Sequence, residues 1–134
     1  MDELKQFIEE WKDSEAKTKE AFLIFKDTIE SKGDVEFELN ARPGISYSLR
    51  GKKRGQSRPL FILLDIIDDD PSDRWLSVCF YGDMIYDPDE QGDFVPGGLL
   101  GEDGHCFDLE EGTSENIDYI KQRIEEAYSA ADSK

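Results

Sequence analysis

The sequence is poor in the residues that most often carry chemistry: it has one histidine, two cysteines and two methionines in 134 positions. With a single histidine and no GxSxG sequence, the usual hydrolase arrangements of nucleophile, base and orienting acid have no support. Cys79 and Cys106 do not form the spaced framework of a stapled secreted domain. Each stands inside a strand-like run, which predicts two reduced, buried thiols in a reducing compartment. No apolar run approaches the roughly 18 residues needed to cross a bilayer. The opening MDELKQF has neither the basic nor the apolar region of a signal peptide, so a soluble, cytoplasmic protein is expected.

Charge is unevenly placed. Between Leu39 and Leu64 there is no Asp or Glu, while Arg42, Arg50, Lys52, Lys53, Arg54 and Arg58 give that segment six positive charges. From Asp65 to Glu115 sixteen acids face one base, Arg74. The net charge of -16 argues against general affinity for nucleic acid or an anionic membrane, because phosphate neutralisation by Lys and Arg supplies most of such binding. The basic segment is a candidate site for a phosphate or an acidic partner; the plainer reading is that neighbouring acidic loops neutralise it within the fold.

What is present suffices for one folded domain over 1–134, with 37% hydrophobic residues, eight Phe, five Tyr and two Trp. Leu4, Phe7, Trp11, Thr18, Phe22, Phe25 and Ile29 recur at three and four, predicting a helical N-terminal segment over 1–32 that stops at Gly33. Unbroken, that helix would be roughly 45 Å long, too long for a compact domain of this size unless it overhangs. Asp13 and Ser14, both good N-cap types, mark the expected break.

The sheet is expected over 34–109. Val35, Phe37 and Leu39 alternate with Glu36, Glu38 and Asn40, and Ile45, Tyr47 and Leu49 repeat the pattern against Ser46, Ser48 and Arg50. Leu60–Ile67 and Trp75–Tyr81 form a hairpin with Ile67 opposite Trp75. One of its faces carries Leu60, Ile62, Leu64, Ile66, Leu76, Val78 and Phe80. The other carries Phe61, Leu63, Asp65 and Ile67 beside Trp75, Ser77, Cys79 and Tyr81, a mixed aromatic and polar surface. Residues 87–104 read as a long irregular loop, a candidate lid, followed by a short strand from His105 to Leu109. Thr113 or Ser114 caps a C-terminal helix over 114–130. The fold class is α+β in two layers, with helices from both ends on one face of an antiparallel meander of four or five strands.

The motifs that would specify a reaction are incomplete. Asp87, Asp89, Gln91 and Gly92 imitate the first half of an EF-hand loop, but the twelfth position is Gly98 instead of a bidentate Glu. Asp68, Asp69, Asp70 and Asp73 read as solvated surface acid, and no metal or cofactor is assigned. Asp65 and Asp83 lie at opposite ends of the hairpin, roughly 20 Å apart, too far for an acid–base pair. Asp65 alone, inside an apolar run, is expected to pair with Arg58 or Arg74. His105 and Cys106 are neighbours on a strand and so point to opposite faces. Gly98, Gly101 and Gly104 have no following Lys in P-loop position and read as turns.

LSVCFYGDMI (76–85), VPGGLLGEDG (95–104) and CFD (106–108) resemble a group of small uncharacterised bacterial proteins over most of the chain. More loosely, the helix, short meander and terminal helix are similar to DUF5655-like small domains. Neither resemblance implies a reaction or a site residue.

The reading is therefore a binding or interaction module. Its candidate contact residues are Arg50, Lys52, Lys53, Arg54, Arg58, Phe61, Asp65, Trp75, Ser77, Cys79 and Tyr81. The expected partners are a protein, a small anionic ligand or a second copy of the chain. The alternatives are an enzyme with a pocket under the 87–104 loop, using Asp65, Cys79 or His105, and a purely structural homodimer.

Overall fold

A computed structural model describes residues 2–134 as helices α1 (Asp2–Glu10), α2 (Thr18–Glu30) and α3 (Ser114–Ala130) with strands β1 (Val35–Arg42), β2 (Ser46–Lys53), β3 (Ile62–Ile67), β4 (Trp75–Tyr81), β5 (Asp93–Leu99) and β6 (Glu102–Leu109). The strands form one antiparallel sheet in the order β1-β2-β3-β4-β6-β5. The α+β architecture is as expected, but the sheet has six strands, and the meander ends at β4 because β6 enters between β4 and β5.

The break in the N-terminal helical segment has a local cause. The Asp13 carboxylate accepts the N–H groups of Lys19 at 3.1 Å and Glu20 at 3.3 Å, two orphan donors in the first turn of α2. The chain can then fold back, so Leu4, Phe7 and Trp11 of the first segment join Phe22, Phe25 and Ile29 in one core. Thr113 caps α3 by accepting the Asn116 N–H at 3.1 Å.

Register assigns each strand residue a face. Ile67 pairs with Trp75 and Leu64 with Val78. The row Leu39–Leu49–Leu64–Val78–Phe107 therefore lies on the inner side, where all but the edge residue Leu39 are buried against the helices. Leu60, Ile62, Ile66, Leu76 and Phe80 are buried as well, which fills the apolar face expected of the hairpin. Completely burying a side chain of this size contributes about 1.5–3 kcal/mol, so this layer dominates the stability.

The 87–104 segment is corrected. Residues 93–99 are an edge strand, not a lid. β5 pairs with β6 through Asp93–Cys106, Phe94–His105 and Val95–Gly104, then bulges before Leu99 meets Glu102. The irregular part is short, and Asp87 holds it.

Candidate contact surface

Alternation places a second set of side chains on the outer face, away from the helices. Reading across the strands, one row is Glu38–Arg50–Leu63–Cys79–Cys106–Asp93, and the next is Asn40–Ser48–Asp65–Ser77–Asp108. A third is Arg42–Ser46–Ile67–Trp75. The middle row is built of short polar side chains between two rows of longer ones. That is why Ser48 is buried although no helix covers this face, and Cys79 and Ser46, short side chains in the rows on either side, are buried as well.

Cys79 and Cys106 are joined in a disulfide, which overturns the expectation of free thiols. The reason is topological. With β6 beside β4, the two cysteines face each other at a Cα separation of 4.1 Å, within reach of one S–S bond. They lie 27 residues apart in sequence and on strands separated by β5.

Asp65 lies at the centre of the middle row. Burial pushes its carboxyl above the usual carboxylate range, while the Ser48 hydroxyl and the positive charges of Arg42 and Arg50 pull the other way. Neither expected partner reaches it. Arg58 donates to Asp83 at 2.7 Å and to Glu102 at 3.0 Å, and Arg74 donates to Asp68 at 2.6 Å. Asp65 Oδ1 is buried without a hydrogen-bond partner, as are Arg50 Nε in the neighbouring row and the Tyr81 hydroxyl. An unpaired buried polar atom costs about 1–3 kcal/mol, so the three of them on one sheet face are an uncompensated cost in the isolated chain.

The structure brings together Arg50, Lys52, Asp65, Trp75, Ser77, Cys79 and the wholly buried Tyr81 on this face. Lys52 is in register with Glu36 across the β1–β2 ladder. The structure sorts the other candidates differently. Lys53 points to the helical side, donating to Asp132 at 2.8 Å and lying 4.1 Å from the Tyr128 ring centroid. Arg54 sits 3.7 Å from Glu36. Arg58 lies 4.3 Å over the Tyr81 ring, which is completely buried. Three of the six cations thus meet acids of the fold, and the basic segment is half neutralised within it. Phe61 is a correction. It precedes β3, turns inward and packs edge-on against Tyr128 at 5.8 Å, with no exposure.

The residues proposed for an enzyme do not converge. His105 pairs with Phe80 on the inner face, opposite in sense to Cys106, whereas Asp65 and Cys79 point outward. Cys79 has no free thiol. A cleft of about 400 Å³ beside β5 is lined by Arg58, Asp83, Phe94, Glu102, Asp103 and His105, and it contains neither Asp65 nor Cys79. Asp87, the first position of the calcium-loop imitation, is already engaged. Its oxygens take His105 Nε2 at 2.8 Å, the Gln91 and Gly92 N–H groups at 3.0 and 2.8 Å, and the Tyr119 hydroxyl.

Ser48, Cys106 and Asp108 complete the outer face. Ser48 is legible as the period-two alternation of β2, whereas Cys106 and Asp108 are readable only once β6 is placed beside β4. No helix among the described residues is long and apolar enough to cross a membrane. No protein-family model matches the chain, and the comparisons with curated proteins and with solved structures find no match.

Proposed function

We propose that the chain is a binding module and that its outer sheet face contacts another protein chain. One observation carries this reading: Asp65 Oδ1 and Arg50 Nε are buried and unpartnered on the face that no helix covers. Polar atoms left in that state are a cost to the isolated chain, which marks the face around them as kept for something other than its own folding. The surrounding Leu63, Ile67 and Trp75 are half-buried and provide apolar area around them.

A protein partner fits better than a small anion. Lys53, Arg54 and Arg58 are engaged by Asp132, Glu36, Asp83 and Glu102, and Arg42, Arg50 and Lys52, which make no ion pair among the described residues, are interleaved on the outer face with Glu36, Glu38 and Asp65. The Cys79–Cys106 bridge belongs to this face and is of a kind that persists in oxidising surroundings, which weighs against the reducing cytoplasm expected from the sequence.

Chemical cross-linking in the native extract tests the reading. The wild-type chain should yield a cross-linked species that Arg50→Ala with Asp65→Leu abolishes and Lys53→Ala with Arg54→Ala retains. Loss with the second pair and retention with the first would place the contact elsewhere.

A further inference from the structure

We infer that the partner on the outer face is a second copy of the chain, stacked sheet to sheet about a two-fold axis that runs parallel to the strands between β3 and β4. This rests on the outer face being the contact surface and adds what covers it.

The sheet order makes that axis self-complementary. With six strands in the order β1-β2-β3-β4-β6-β5, a two-fold between β3 and β4 lays β2 over β6 and β3 over β4 of the other copy. On the outer face β2 carries Arg50 and Lys52, and β6 carries Asp108. Asp108 is exposed and makes no ion pair among the described residues. In the stack it comes over Ser48, one row from Arg50 on the same strand and diagonally across from Arg42 on β1.

The same operation lays the row of Asp65 over the row of Ser77. The Ser77 hydroxyl has only a 3.7 Å contact with Cys79 Sγ, so it is available to the accessible side of the Asp65 carboxylate of the other copy. A row of short side chains also lets two sheets approach closely, as face-to-face packing requires.

Area is consistent with a reversible dimer. Six strands at ~4.8 Å spacing and about 7 residues of length give a face of roughly 600–700 Å². Two such faces bury about 1,200–1,400 Å², at the lower end of stable interfaces. At the rim β5 with Asp93 meets the strand carrying Glu38, an exposed repulsion that salt screens.

The test is sedimentation equilibrium of the full chain, with folding of each variant checked by thermal unfolding. Wild type should form a concentration-dependent dimer between about 1 µM and 1 mM, the range in which such interfaces of modest area associate. Arg50→Glu and Asp108→Arg should each weaken it at least about fivefold, the effect of replacing an attraction across one row of the stack by a like-charge repulsion. Arg50→Glu combined with Asp108→Arg should restore it to within about threefold. Asp108 is exposed, so its single variant decides even if Arg50→Glu fails to fold.

A wild-type chain monomeric at the top concentration, a dimer indifferent to Asp108→Arg, or folded singles that are not rescued by the combination would overturn the proposal. A monomer whose Asp65→Leu variant is no less stable would remove the second copy as partner and leave the contact face standing. A monomer destabilised by Asp65→Leu would remove both.

Discussion

The Asp87 carboxylate and the His105 ring are joined at 2.8 Å across eighteen residues of sequence, tying the loop after β4 to the β6 strand. The same carboxylate accepts from Tyr119 of α3 and from two loop N–H groups, so one side chain connects the sheet, the last helix and the turn into β5. Gly92 sits beneath this junction, where an added Cβ would lie 2.8 Å from the His105 ring.

Removing this carboxylate should be costly. Asp87→Ala leaves the Tyr119 hydroxyl and the Gln91 and Gly92 N–H groups without their acceptor, and a loss of roughly 2–4 kcal/mol is expected in denaturant unfolding at neutral pH. The pH dependence has a definite sign. Burial opposes ionisation of Asp87, but the bonds from Tyr119, His105, Gly92 and Gln91 outweigh it and hold the carboxyl well below the usual carboxylate range. Its contribution is present above the unfolded carboxylate pKa and is lost as pH falls through the depressed folded value. The gap between wild type and Asp87→Asn should therefore narrow in strong acid, and a gap that widens there would contradict the assignment.

The disulfide should be structural. Replacing both Cys79 and Cys106 by Ala is expected to lower stability by about 2–4 kcal/mol, the usual effect of opening a loop of this length. Thiol titration of the unfolded, unreduced chain checks the premise. No reactive thiol is expected before reduction, and both cysteines should react after it.

A backbone contact locks the helical layer. Gly112 donates to the Ala16 carbonyl at 2.7 Å, and a Cβ at this position would lie 2.3 Å from the Lys17 carbonyl oxygen. Gly112→Ala should force the α1–α2 link away from the start of α3 and cost about 1–3 kcal/mol in thermal or chemical unfolding. An unchanged midpoint would show that this junction is loose.

The inner rows of the hairpin are legible in the sequence because β3 and β4 each place apolar residues at every second position, and the Ile67–Trp75 pairing fixes their register. The polar alternation in β2 is legible for the same reason. β5 is not, since Pro96, Gly97 and Gly98 look like turn residues, and only Asp93–Val95 pair regularly before the bulge. Missing β5 hides the placement of β6, and with it the opposition of Cys79 and Cys106. The isolation of Asp65 is equally hidden. Arg58 and Arg74 are near in sequence, but local geometry turns them to Asp83, Glu102 and Asp68.

The stability of Asp65→Leu, measured by denaturant unfolding at low-micromolar concentration, tests most directly whether the outer face is built for a partner. A group retained for binding is a cost to the isolated chain, so the variant should match wild type or exceed it by about 0.5–2 kcal/mol. Because the folded carboxyl titrates above its unfolded value, its stabilising contribution is present below the unfolded pKa and is lost as pH rises through the folded one. The advantage of Asp65→Asn should accordingly be largest near neutral pH and shrink below about pH 4. A loss of more than about 1 kcal/mol in Asp65→Leu at neutral pH would show that Ser48, Arg42 and Arg50 already satisfy the carboxylate within the fold, and would contradict the account.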